Sequence, residues 1–233
     1  MDYKRVTLFA GHYGSGKTNL ALNYALWLRG KALPVTVADL DIVNPYFRTK
    51  DGEDQLRQAG IPLVSSRYAN SNLDVPSLPA EVYSLVEDRS IYAVMDIGGD
   101  DRGALALGRY APSILEENDY EMLFVVNRAR PLTRTVEDAL EVFFEIQGAC
   151  GIPFTAIVNN TNLGPSTTAE TVISGEAFAR GIASRTGLPV KMTSAVTQLC
   201  GQLQNKVSNL FPISVMQLYY MEKEGTSLGK INL

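Results

Sequence analysis

Little in this sequence advertises a disulfide framework, a zinc clip or a membrane span. Two cysteines occur in 233 residues, Cys150 and Cys200, and they form no CxxC pair. That spacing excludes a thiolate cluster or zinc clip assembled from neighbouring residues of one chain. The plain expectation is two reduced, buried thiols in a cytoplasmic protein. No stretch approaches the ~20 apolar residues that cross a bilayer. The apolar run from Val6 to Ala10, behind Lys4 and Arg5, is too short for a signal peptide. Excess positive charge is missing too. Against 25 Asp and Glu stand 21 Lys and Arg, a net charge of −4, which argues against broad binding to nucleic acid or an anionic membrane surface. No internal repeat, low-complexity tract or linker marks a second domain, so 1–233 reads as a single domain.

What is present is the make-up of an α/β protein. A hydrophobic fraction of 45% and a charged fraction of 20% support a sizeable core. Short β-branched and aromatic runs at 5–10, 35–39, 61–65, 92–97, 122–127, 154–159 and 190–193 read as strands. Amphipathic stretches between them read as helices, most clearly 17–29, 78–87, 132–147 and 169–186. Strands alternating with helices predict parallel crossovers, hence a doubly wound, mostly parallel sheet with helices on both faces. Continuous apolar strand cores such as VTLF and LFVV agree, because both faces of such a strand are buried. Gly30, Gly60 and Gly187 fall where a left-handed helix cap is wanted, and Pro34, Pro62, Pro153 and Pro189 sit at or before strand starts. The segment 211–224 reads as a closing helix and 225–233 as a fraying end.

Residues 11–18, GHYGSGKT, match the GxxxxGK[ST] phosphate-binding loop between a strand and a helix. The chemistry requires this pattern. Gly11, Gly14 and Gly16 let the backbone N–H groups of the loop, including those of His12, Tyr13 and Ser15, turn inward around phosphate oxygens. Lys17 supplies a point charge for the β- and γ-phosphates, the Thr18 hydroxyl ligates magnesium, and the helix start at Thr18 and Asn19 adds its dipole. Acidic partners are expected at strand ends. Asp96 opens the DIGG turn, in which the Gly99 N–H can sense a γ-phosphate, and Asp39 and Asp41 lie in ADLDIVNP. Asp96 is assigned to magnesium and Asp41 to water activation or outer-shell magnesium, with Asp39 on the same face and the two roles exchangeable.

The pieces GHYGSGKTNLALNYALWL, ADLDIVNPYFR, VMDIGGDD and TAIVNNTN together resemble the MinD/ParA-type ATPases of the CobQ/CobB/MinD/ParA nucleotide-binding group. The resemblance implies ATP with Mg2+, a partner protein, and often a nucleotide-dependent homodimer; it also implies that Asn159 contacts the adenine. One position departs from it. The second, signature lysine of most members is His12, the chain's one histidine. The C-terminal FPISVMQLYYMEKE lacks the basic amphipathic face of a membrane-targeting helix, and the missing CxxC separates the chain from relatives that share a metal cluster between subunits. Where GTPases read guanine with the aspartate of NKxD, the stretch here is Asn159–Asn160–Thr161–Asn162, and the missing carboxylate favours adenine. Arg128, Arg130 and Arg134, with Arg102 and Arg109, are basic residues near the same sheet edge, read as solvated charge or as contacts to an acidic or phosphorylated partner. Four functions follow: an ATPase switch acting on a partner; a small-molecule kinase or ligase of the dethiobiotin-synthetase or amidoligase type, with 66–80 as a lid; a GTPase-like metallochaperone; and a nucleotide-binding module without turnover.

Overall fold

Among the described residues eight strands form one sheet: β1 (Val6–Ala10), β2 (Val35–Leu40), β3 (Leu63–Ser65), β4 (Tyr92–Ile97), β5 (Tyr120–Val126), β6 (Ala156–Asn159), β7 (Val190–Val196) and β8 (Leu210–Ile213). Their order is β3-β2-β4-β1-β5-β6-β7-β8, and every pairing is parallel. The structure, a computed structural model, describes residues 1–41, 50–65, 81–99 and 101–214. The helices are α1 (Lys17–Arg29), α2 (Lys50–Gln58), α3 (Glu81–Glu87), α4 (Asp101–Leu107), α5 (Ala111–Glu117), α6 (Val136–Cys150), α7 (Ala169–Thr186) and α8 (Thr197–Leu203). From β1 the chain builds outward to β2 and β3, returns to β4, and then crosses to β5 on the other side of β1. The carboxyl end of β1 is therefore the topological switch point, where open α/β sheets bind ligands.

Strand residues alternate between two cores, as a sheet covered on both faces requires. Val6, Leu8, Ala10, Met122, Phe124 and Val126 join one cluster with residues of α6 and α7. Phe9, Leu123 and Val125 join another beneath Leu20, Tyr24 and Leu28 of α1. Two buried ionic groups are paired and hydrogen-bonded, the arrangement that makes such burial tolerable. Arg5 pairs with Glu117 and donates to the carbonyls of Leu85, Val86 and Ile91. Glu121 pairs with Lys191 and accepts from Tyr24 Oη at 2.8 Å and Thr7 Oγ1 at 3.2 Å. Burial, with the Glu121 charge beside it, drives the Tyr24 phenol far above its ordinary range.

All seven expected strands form, β4 with the expected ends and the other six with shifted ones. The expected closing helix does not begin at Phe211. Phe211 and Ile213 are buried with Pro212 exposed between them, a period of two that makes 210–213 the edge strand β8. The proline is tolerated because an edge strand has one unpaired side. The rest of that helix and the fraying end, 215–233, lie outside the described residues. Gly60 and Gly187 are left-handed as expected, with φ of 67° and 74°, whereas Gly30 is helical at −61°. After α1 the chain makes two further tight turns, Lys31 N to Leu28 O and Ala32 N to Arg29 O, and Ala32 takes the positive φ. Short helices α2, α4, α5 and α8 escaped the sequence reading because none fills the window of roughly 11–18 residues in which a helical repeat is recognised. Cys150 is buried and Cys200 half-buried; both are free, and burial pushes both thiols up.

Candidate functional site

The loop from Gly11 to Thr18 leaves the end of β1 and closes at the start of α1. Ser15 N donates to His12 O at 3.1 Å, and Gly16, left-handed at φ 86°, caps the helix with no side chain over its first turn. No acidic residue occupies that turn, so no side-chain charge there offsets the positive end of the helix dipole, which suits an anion. Glycine is required here by space as well as by φ. A Cβ on Gly11 would stand 2.4 Å from Val125 O, and one on Gly16 would stand 2.3 Å from Asn160 Nδ2. Lys17 is buried, and its Nζ reaches His12 O at 3.3 Å across the loop.

Acids arrive from β2 and β4. Asp39 and Asp96 are register partners on these neighbouring strands. Thr18 Oγ1 donates to Asp96 Oδ2 at 2.5 Å, while Asp96 Oδ1 is buried without a hydrogen-bond partner among the described residues. Burial and then the Asp39 charge push the Asp96 carboxyl up to about 7; Lys17 and the Thr18 hydroxyl pull the other way. Asp41 N donates to Asp39 Oδ1 at 3.0 Å, a local bond at the carboxyl end of β2. Gly99 lies on the loop: a Cβ there would stand 2.6 Å from Tyr13 N and 3.1 Å from Lys17 Nζ. A cavity of about 30 Å³ lined in part by Thr18, Asp39, Glu53 and Asp96 has room for a water molecule or two.

Amides arrive from β5 and β6. Asn160 Nδ2 donates to Ser15 O at 2.6 Å, and its carbonyl accepts from Ser194 Oγ. Asn159, expected at the adenine, is 0% exposed; its amide accepts from Thr161 N at 3.1 Å and donates to Val172 O of α7 at 3.1 Å. Successive strand residues point to opposite faces, so of the two asparagines it is Asn160 that reaches the loop. Helix α7 presses close here because residue 175 is glycine; a Cβ would stand 2.3 Å from Thr161 Oγ1. Asn162 donates to Asn160 O at 2.8 Å and accepts from Gly164 N at 3.2 Å.

The structure thus gathers Gly11 to Thr18, Asp39, Asp41, Asp96 and Gly99 around one strand-end cleft, with Asn19 in the first turn of α1. His12 turns its ring back on its own loop, Nδ1 lying 2.9 Å from Tyr13 O. The expected lid at 66–80, the 42–48 portion of the ADLDIVNPYFR motif, and the Arg102 side chain lie outside the described residues. Sequence reasoning missed Asn160. The doubled asparagine at a strand end was the available sign, since alternation sends one of any such pair toward the loop.

No family model matches the chain, and no curated protein matches it. Solved structures do. The 54 kDa signal recognition particle protein of Aeropyrum pernix, in complex with GDP, is 18% identical, with a TM-score of 0.53 over 82% of this chain and 41% of that one. FtsY of Thermotoga maritima is 17% identical, with a TM-score of 0.49 over 80% and 60% of the two chains. FtsY of Elizabethkingia anophelis is 16% identical, at 0.45 over 82% and 58%. This chain spans 60% or less of the length of each of them. The fold is that of the α/β P-loop nucleotide-binding proteins.

Proposed function

We propose that the chain is a magnesium-dependent ATPase switch whose nucleotide state controls a partner protein, of the kind the MinD/ParA resemblance implies. One observation carries the reading: the buried Asp96 carboxylate bonded to Thr18, with one oxygen lacking a hydrogen-bond partner among the described residues, beside the glycine-rich loop that opens α1. A divalent cation fits there. Among the described residues no three His, Cys, Asp or Glu side chains gather into a cage. A hard cation that keeps its waters needs less: one or two carboxylates or hydroxyls, completed by phosphate oxygens. Thr18 and Asp96 would hold magnesium, which when bound supplies charge neutralisation on the β- and γ-phosphates.

The chain's own groups do the rest. Amides of residues 12–18 and the Lys17 ammonium cradle the phosphates. Asp41, or Asp39 beside it, orients the attacking water. The water oxygen bonds to the γ-phosphorus, the bond to the β–γ bridging oxygen breaks, and ADP and phosphate leave. The Gly99 N–H, already against the loop, is placed to follow the γ-phosphate and pass its loss to α4. Adenine is favoured because residues 159–164 contain no carboxylate and the Asn162 amide is spent on its own loop. Turnover is measured for the wild type, Lys17→Ala and Asp41→Ala; equal, nonzero rates in all three sink the assigned site. Competition with GTP reads the base, and equal affinity for GTP and ATP overturns the adenine preference.

A further inference from the structure

The loop lacks the signature lysine, and the structure brings a different cation to it. Asn127, fully buried at the end of β5, accepts from Ala129 N at 3.0 Å and from Asn162 N at 3.3 Å. The turn it sets up continues with Arg130 N donating to Asn127 O at 3.1 Å and Thr133 N donating to Arg130 O at 3.2 Å. Arg130 is thus held by its backbone on both sides, at φ −87° and ψ 134°. From there its side chain crosses to the phosphate loop. A Cβ on Gly14 would stand 3.3 Å from Arg130 Nε and 3.6 Å from Cζ, so the guanidinium lies on the loop where glycine, at φ 75°, leaves room. Among the described residues no carboxylate forms an ion pair with Arg130. His12, meanwhile, spends a ring nitrogen on Tyr13 O rather than reaching outward.

We propose that Arg130 is the second cation of the phosphate site, supplied by the same chain: with a nucleoside triphosphate in the loop, its guanidinium donates to phosphate oxygens across Gly14. The planar, permanently charged fork suits phosphate better than a neutral imidazole would. Rigid backbone anchoring through Asn127 lowers the entropy lost when it binds. A charge in cis also means that one chain completes its own site. The inference rests on the nucleotide reading above.

Binding of a nonhydrolysable ATP analogue with magnesium is titrated for the wild type, Arg130→Ala, Arg130→Lys, Arg128→Ala and Lys17→Ala, at two protein concentrations tenfold apart. Arg130→Ala is expected to weaken binding roughly 10- to 100-fold, the loss typical of one charge-assisted contact. Arg130→Lys recovers part of that loss. Arg128→Ala, an exposed arginine two residues away, stays within about twofold. The wild-type Kd is the same at both protein concentrations. Wild-type binding with Arg130→Ala unchanged, with an equal loss in Arg128→Ala, or with a Kd that tightens as protein is raised overturns the inference alone. A wild type that binds no nucleotide overturns the nucleotide reading and the inference together.

Discussion

At the carboxyl ends of β2 and β4 the register pairs Asp39 with Asp96; at the ends of β5 and β6, and within β7 beside them, stand Asn127, Asn159, Asn160 and Ser194. The two sides flank one loop but are finished differently. On the amide side each of Asn127, Asn159 and Asn160 uses both its carbonyl and its N–H, to backbone or a neighbouring hydroxyl. On the acid side a buried carboxylate sits beside a second aspartate, with one oxygen lacking a partner among the described residues. A satisfied buried network resists change, whereas a half-satisfied one is costly until something completes it. The amide side is therefore the fixed wall of the site, and the acid side is the part whose energy depends on what is bound.

The largest break in that contrast is expected from Asn160→Ala. It strips Ser15 O and Ser194 Oγ of a buried partner, and denaturant unfolding should show a loss of about 2–4 kcal/mol. A loss near zero would mean that the wall is not held from Asn160. Gly175→Ala comes next. Its Cβ meets Thr161 Oγ1 at 2.3 Å and Asn159 Oδ1 at 2.4 Å, and overpacking of this kind costs about 1–3 kcal/mol, read as a lower Tm. An unchanged Tm would show that α7 yields freely.

Asp96 tests the other side with pH. Its folded pKa of about 7 lies above the ordinary 3.8, so the metal-free fold holds a proton that the unfolded chain releases. Stability from this group is full below pH 3.8 and is lost as pH rises through about 7. Asp96→Asn should accordingly stabilise the metal-free protein at pH 8 by about 1–2 kcal/mol, leave it little changed at pH 4, and abolish the stabilisation that magnesium and nucleotide give. Parallel thermal melts at the two pH values check this; a variant less stable at pH 8 would mean that the carboxylate is already well compensated. Smallest is Ser15→Ala. The Ser15 hydroxyl is buried without a partner among the described residues, so its removal should change nucleotide-free stability by no more than about 0.5 kcal/mol. A larger loss would reveal a role within the loop itself.

The acid side and the loop were legible because their residues are contiguous or end obvious apolar strands: GHYGSGKT, Asp39 and Asp41 at the end of β2, and DIGG. The wall was less so. Choosing between Asn159 and Asn160 needs the phase of β6 against α7, and one residue of slip reverses the answer. Gly175 reads in sequence as a weak point in a helix, and only the packing shows it as the reason α7 can touch Thr161. Arg130 was visible as charge, but its place over Gly14 is set by a turn that Asn127 organises across two loops. The C-terminal strand was misread because its signature is only Phe211 and Ile213 around one proline.

The position of β1 in the sheet also orders events in time. Its two neighbours are β4 and β5, with Val6 opposite Ala93 on one side and Tyr120 on the other. A nascent chain therefore carries its phosphate loop on a strand without neighbours until β4 and β5 have been made. Contacts this distant in sequence close slowly, and a strand waiting for partners is exposed to the wrong ones. The phosphate loop is made before Gly99 and Asn160, yet it takes its shape only when the strands that carry them join the sheet.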